Sequence, residues 1–392
     1  MKNILKDRKV AIAGGGPAGL TLARLLQLKG ISVSVYERDA DKSVRQQGAT
    51  LDLHEDSGLA ALKKAGLLDE FRKLYRPGAD KMRITDEHGT IVHDDHDQKP
   101  EDDFGNEHFR PEIDRGPLRD MLIDSLIPGT IQWNSHFKEM KPSGNGWELL
   151  FANGGSEYAD IVIATDGANS KLRKYVTDIE PLYSGITIIE GNIYNAAVNA
   201  PKLWALTKGG KVFAMGEEKT IILSAKGDGS LSFYTGTKES EHWATQSGID
   251  FSNRHQLIDW FRGRYAEWSD IWLELFNSDD AYFVARPQYY CPYDQSWNTN
   301  QNITLIGDAA HRMPPYAGEG VNMAMQDALE LYEALCESDF DTTTDALRHF
   351  ESNMLKRAAE VTFETMESTE RMHSKGALQK LLAFFTEAAL PE

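Results

Sequence analysis

Apolar positions along this chain follow two different periods. Val10–Ala13 is apolar without a break, and apolar residues then recur at Leu20, Ala23, Leu26 and Leu28, the spacing of a helix with one buried face. A second apolar run, Ile31–Tyr36, ends in Glu37. Strand, helix and strand in this order predict a βαβ unit, the seed of a parallel sheet. Ala159–Ala164 and Asn302–Gly307 have apolar centres and read as further buried parallel strands. Helical spacing predicts a helix over 57–74 (Leu59, Leu62, Leu67, Leu68, Phe71) and another over 113–126. A hairpin is expected at 80–93, where Met82, Ile84, Ile91 and Val92 flank Glu87–Thr90. From 183 to 235 the pattern changes to short alternating strands with glycine turns: 186–194, 211–214, 220–224 and 230–235, an antiparallel sheet. Helical spacing returns over 253–277, where periodic burial explains Trp260, Trp268 and Trp272, then over 320–337 and 345–386. Parallel strands lie on both sides of the antiparallel block, so two units are expected to interleave. The boundaries read as 1–75, 105–182 and 283–337 for the parallel unit, 76–104 and 183–282 for the antiparallel one, and 340–390 for a closing helix.

Composition narrows the class. The 392 residues are 41% hydrophobic and 26% charged, ordinary for a globular protein with a sizeable core. A net charge of −18 argues against nucleic acid or an anionic membrane surface as partner. Two cysteines, Cys291 and Cys336, are too few for a disulfide framework and fit a reducing compartment. The charged start does not read as a signal peptide, and no apolar run reaches the ~18 residues of a membrane span. A cytoplasmic monomer is expected. His93 and His96 beside the aspartates of 94–103 read as an acidic solvated loop, and no metal site is expected.

Chemistry enters between the first strand and helix, where Gly14-x-Gly16-x-x-Gly19 stands with Ala18 inside it. Gly14 permits a tight turn, Gly16 lets backbone approach a pyrophosphate, and Gly19 allows close packing of helix on strand. The helix N-terminus offers free N–H groups to a diphosphate, and Glu37, followed by Arg38, is placed for a ribose hydroxyl. A dinucleotide site follows. A second signature is Gly307-Asp308, then Pro314-Pro315, then Gly318-Glu-Gly320-Val321 opening a helix. Asp308 can accept from a sugar-alcohol chain, and the Gly318–Val321 backbone offers N–H groups to an anionic group.

With Asp166-Gly167, Ser170 and Arg173 between them, these motifs resemble those of the FAD-dependent aromatic hydroxylases, the group A flavin monooxygenases. That resemblance implies an α/β fold in which a Rossmann-like FAD-binding domain interleaves with an antiparallel-sheet substrate domain, closed by a long C-terminal bracing helix. It implies that Asp308 holds the ribitol, that Pro315, Gly318, Gly320 and Val321 face the flavin ring, and that Asp166 belongs to a motif shared by FAD and NADPH. The implied reaction is NADPH-driven flavin reduction, O₂ addition at flavin C4a, and transfer of one oxygen from the hydroperoxide to an electron-rich aromatic or enol carbon.

Within that group the chain is similar to the tetracycline-inactivating FAD monooxygenases, on Val33–Asp39, Thr50–His54, Lys64–Leu68, Ser170–Asp178 and Gly307–Asn322. The likeness implies that Arg45 meets the nicotinamide cofactor and that Asp52 and Arg119 contact FAD. It places Glu190, Lys211, Ser232 and Tyr234 against an aromatic or polyketide substrate. Here the chain departs from the pattern: Lys211 replaces a planar arginine fork, and Glu190 replaces an amide by an acceptor-only carboxylate. Glu190 and His311 are the candidate proton-handling groups, with a structural role preferred for His311. A non-oxygenating flavin dehydrogenase and a flavin-binding module with little turnover stand as alternatives. The halogenase stretch Trp-x-Trp-x-Ile-Pro is absent.

Overall fold

The computed structural model describes residues 4–388 apart from 45–47, 98–103, 107 and 279–280, with side chains described to residue 383. The first strand, Val10–Ala13, sits at the centre of a five-stranded sheet. On one side it pairs with Ile161–Ala164 and then Ile303–Leu305; on the other with Val33–Tyr36 and Ile131–Gln132. Every pairing is parallel. Both faces are therefore covered, and Ile12, Val35, Ile163 and Leu305 are fully buried. Helix Pro17–Leu28 packs on one face beside helix Gly320–Cys336, placing two helix N-termini at the same end of the sheet.

A seven-stranded sheet forms the second unit. Its order runs from Tyr282–Tyr290 through Leu182–Ile193, Leu231–Lys238, Lys219–Ala225 and Lys211–Gly216 to the hairpin Met82–Thr85/Ile91–Asp94. One face is sealed by the tryptophan-rich segment: Trp272 is 0% and Trp268 8% exposed, against Phe233, Phe261 and Phe276. The other face turns toward the first sheet. A two-stranded ladder, Thr50–Asp52 on Glu112–Asp114, joins the units.

Several expected boundaries move. The helix expected over 57–74 is two helices, Gly58–Lys64 and Leu68–Leu74, because Gly66 takes φ +71° between them. The helix expected from 113 starts at Arg115, since Glu112–Asp114 pairs as a strand. The unit boundary at 283 falls inside strand Tyr282–Tyr290, which hydrogen-bonds to Leu182–Ile193, so we place it after Tyr290. The closing helix is also two, Thr343–Met372 and Ala377–Ala388, broken at Gly376 with φ +67°. Among the described residues no helix is long and apolar enough to cross a membrane. Where the acidic loop begins, slight burial acts to raise the Asp94 pKa, but His96 N (3.0 Å), His96 Nδ1 (2.8 Å) and Arg83 Nε (2.9 Å) outweigh it and draw the pKa down to about 2.

Candidate functional site

The two sheets enclose a cavity of about 1310 Å³. A single drug-sized ligand needs roughly 300–1,000 Å³, so there is room for a dinucleotide and a second molecule. Its first wall is the opening glycine turn. Gly14 has φ +122°, and a side chain there would collide with Thr165 O, whose residue is held by Thr165 Oγ1 donating to Gly14 O at 2.7 Å. A side chain at Gly19 would meet Gly14 O and, at 2.7 Å, Thr165 Oγ1. Gly16 differs: nothing lies within 4 Å of where its Cβ would be. It caps helix Pro17–Leu28 with no side chain accepting the first N–H groups. An open cradle under an uncapped helix N-terminus is the shape of an anion site. Gly19 itself lies under the helix and does not line the cavity, in keeping with a packing role.

Glu37, 2% exposed, stands at the rim, with Gly15 N donating to Oε2 at 2.7 Å and Asp39 N donating to Oε1 at 3.0 Å. Arg38 lines the same wall. Asp166 Oδ2 accepts Lys171 N at 2.7 Å, whereas Oδ1 is buried without a hydrogen bond, and burial raises this carboxyl's pKa. Arg173 is a strut: it donates to Ala309 O (3.0 Å), Ala310 O (2.9 Å) and Gln295 Oε1 (2.7 Å), fixing the segment that carries Asp308. Asp308 is exposed into the cavity after Gly307 at φ +62°.

The second anion-receptive edge is the start of helix Gly320–Cys336. No side chain caps it, Gly318 turns at φ +75°, and open space surrounds Gly320. Beside it, His54 N donates to Asn322 Oδ1 at 2.9 Å, Asn322 Nδ2 donates to Asp52 O at 3.0 Å, and His54 Nε2 meets Asp52 Oδ2 at 3.0 Å. Asp52 is thus fastened at the cavity wall, and Pro315 and Val321 line it too. The orphaned Asp166 oxygen, the open glycines and two uncapped N-termini fit an elongated anionic cofactor with a sugar chain and a ring.

Other expected residues lie elsewhere. Arg119, 3% exposed, is neither at the cavity wall nor on the surface; it donates to Asp39 Oδ2 (3.2 Å) and Lys42 O (3.1 Å) and stacks on Trp133. It holds the loop behind Glu37. Arg45 lies outside the described residues. His311 is 1% exposed, with Nε2 against Asp327 Oδ2 at 2.6 Å. Asp327 also accepts from Gly307 N (2.8 Å) and Arg357 Nη2 (2.7 Å), so His311 and Asp327 brace the Asp308 turn from behind. Burial opposes charge on both groups, but their mutual attraction outweighs it: the His311 pKa rises and the Asp327 pKa falls.

On the substrate sheet, Lys211 and Tyr234 line the cavity, whereas Glu190 and Ser232 do not. Glu190 receives Arg286 Nε, and Ser232 is 2% exposed. Lys211 Nζ is bound to Glu112 Oε1, a residue that sequence reasoning passed over because it stood just ahead of an expected helix. Glu112 is 1% exposed and faces Asp52 across the two-stranded ladder. Burial raises the Glu112 pKa, with Asp52 adding to the rise; on Lys211 the attraction of Glu112 and Asp52 outweighs burial and keeps it charged. Tyr316 and Met372 complete the far wall, so the closing helices line the cavity as well as brace the units.

Comparison with known proteins agrees with this geometry. A family described as FAD binding domain matches residues 7–365. The chain is 28% identical over 385 residues to 3-amino-4-hydroxybenzoate 2-monooxygenase PtmB3 of Streptomyces platensis, covering 97% of this chain and 93% of that protein. Two solved structures share the fold. Klebsiella pneumoniae HpxO complexed with FAD and uric acid has TM-score 0.74 and 20% identity, over 98% of this chain and 93% of that one. The tetracycline destructase Tet(55) has TM-score 0.74 and 19% identity, over 97% and 95%.

Proposed function

Since the chain belongs to the FAD binding domain family, we propose that it is a flavin-dependent monooxygenase. In this reading it uses NADPH and O₂ to hydroxylate an aromatic or polyketide-like small molecule. One observation carries the reading: the cofactor cradle and an apolar-walled pocket on the antiparallel sheet belong to one continuous cavity. Gly14, Gly16, Ala18 and the first helix N-terminus would hold the diphosphate, Glu37 and Arg38 the adenosine side, and Asp166 and Asp308 the sugar chain. Pro315, Gly318, Gly320, Val321 and Asp52 would surround the ring. When bound, FAD supplies electron storage and oxygen activation.

The chain's own residues shape and dry the reaction space. The N–H groups at Gly320–Asn322 and the dipole of their helix favour negative charge at the ring edge. Phe213, Ile222, Tyr316 and Met372 exclude water beside it. No nucleophile and base are needed, in keeping with the structural placement of His311. The nicotinamide would visit the same cavity, with Arg45 a candidate contact. The charge of −18 and the two cysteines support a cytoplasmic enzyme acting without nucleic acid. PtmB3, an aminohydroxybenzoate monooxygenase by name, and Tet(55) support ring-bearing acceptors without choosing among them. The test is anaerobic: NADPH should bleach the flavin absorbance of the purified protein, and readmitted air should restore it while a phenolic acceptor gains 16 mass units. Bleaching and reoxidation with H₂O₂ as the sole product would assign a non-oxygenating dehydrogenase instead. No bleaching would leave a flavin-binding module.

A further inference from the structure

The register of the seven-stranded sheet gives the acceptor pocket a direction. Lys211 pairs with Ser224, Phe213 with Ile222, and Met215 with Thr220, in steps of two residues along the cavity-facing side. One end is therefore polar, the middle is apolar, and the far end closes under Tyr316 and Met372. The polar end is where chemistry would distinguish one ring substituent from another.

Lysine at that end suggests a carboxylate site, but its charge is already spent. Lys211 Nζ sits on Glu112 Oε1, and the charges it faces are Glu112, Asp52 and Asp80. A second cation of the lining, Arg110, faces Glu319. At this end two cations thus stand against four carboxylates, while Arg115 and Arg286 line the cavity beside Tyr234, opposite Ile222 in its middle, so a carboxylate entering this end meets net repulsion. Glu112 is also unfinished: its Oε2 is buried, makes no hydrogen bond, and belongs to a side chain that is 1% exposed and lines the cavity. The neighbouring Thr50 hydroxyl is near enough to favour the charged carboxylate, but it falls short of a hydrogen bond to Oε2. A carboxylate can only accept, and leaving a buried acceptor unmet costs free energy that a donor from outside recovers.

Resting on the reading of this cavity as the acceptor's site, we propose that Glu112 recognises the substrate through a donated hydrogen bond. This end of the pocket thereby selects ring hydroxyl or amino groups and rejects ring carboxylates. Lys211 is a positioning residue that holds Glu112 Oε1 and so aims the other carboxyl oxygen, in place of the substrate contact its position in the sheet suggests.

The test is a titration of the FAD-loaded protein with phenol, aniline and benzoate, read from the perturbation of the flavin spectrum so that no turnover is required. In the unaltered protein phenol or aniline should bind about tenfold to a hundredfold more tightly than benzoate, the factor expected of one hydrogen bond to a charged group. Glu112→Gln should shrink that ratio to within about threefold, with Glu157→Gln, on an exposed carboxylate away from the cavity, as the unchanged control. Benzoate binding as tightly as phenol and aniline, or neither donor binding at all, overturns the assignment on the unaltered protein alone, whether or not the variant folds. An undiminished ratio in Glu112→Gln overturns it equally. Oxygen insertion is scored separately. A protein that prefers the donors yet never hydroxylates would retire the monooxygenase reading and keep this one, and a hydroxylating protein that prefers benzoate would do the reverse.

Discussion

Gly14, Gly16 and Gly19 share one motif but have different physical reasons to be glycine, and substitution separates them. Alanine at Gly19 would press on Gly14 O and on Thr165 Oγ1, forcing helix Pro17–Leu28 off its strand. We expect Gly19→Ala to destabilise the apoprotein by about 1–3 kcal/mol, measured by urea unfolding. Alanine at Gly16 meets no protein atom within 4 Å. Gly16→Ala should leave apoprotein stability within about 0.5 kcal/mol while lowering FAD affinity at least tenfold, because the methyl would enter the space proposed for the diphosphate. A Gly16→Ala variant that binds FAD normally would make this glycine a mere turn residue. The motif was legible in sequence because its spacing is local. Glu112 was not, since its importance arises only when Thr50–Asp52 pairs beside it and Lys211 arrives from another sheet.

Helix Gly320–Cys336 shows what an element adds to its residues. Its N-terminus faces the cavity, while seven residues on Asp327, 0% exposed, gathers His311, Gly307 N and Arg357. Removing one member of such a buried ionic group leaves the others uncompensated, so Asp327→Leu should cost about 3–5 kcal/mol and loosen FAD without touching it. The helix was evident from its apolar spacing. Its second duty was hidden, because Arg357 comes from helix Thr343–Met372, thirty residues away. That longer helix is followed by His373, wholly buried, with Nδ1 on Thr369 O at 2.8 Å and Nε2 near Thr220 Oγ1 at 3.3 Å. Burial, helped by the Lys238 charge, pulls its pKa down to about 4. Below pH 6.5 the unfolded chain takes up a proton that the folded one refuses, so this group's effect is absent above 6.5 and costs stability as pH falls toward 4. The loss reaches roughly 3 kcal/mol at the lower end. Urea midpoints measured at pH 7 and pH 5 should converge in His373→Gln relative to the unaltered protein; an unchanged difference would show that this histidine is not what titrates.

At the scale of the whole molecule, the parallel sheet supplies the cradle and the antiparallel sheet supplies the pocket, and the cavity between them is large because neither encloses a ligand alone. The interleaving was readable from parallel strands flanking an antiparallel block. Its exact seam was not, since Tyr282–Tyr290 differs from a parallel strand only in the partner it pairs with. A cofactor that contacts both glycine turns should stabilise the assembly as a unit. FAD at about a hundred times its Kd should add roughly 2.7 kcal/mol, seen as a higher Tm, and the same FAD concentration should add no more than about 1.4 kcal/mol to Gly16→Ala.

The most direct test of the account follows the oxygen itself. Purified protein supplied with FAD, NADPH and ¹⁸O₂ should place one labelled atom on a hydroxyl- or amino-bearing ring, with NADPH consumed in step with product. Consumption of NADPH with all the label recovered in H₂O₂ or water, and none in the ring compound, would contradict it.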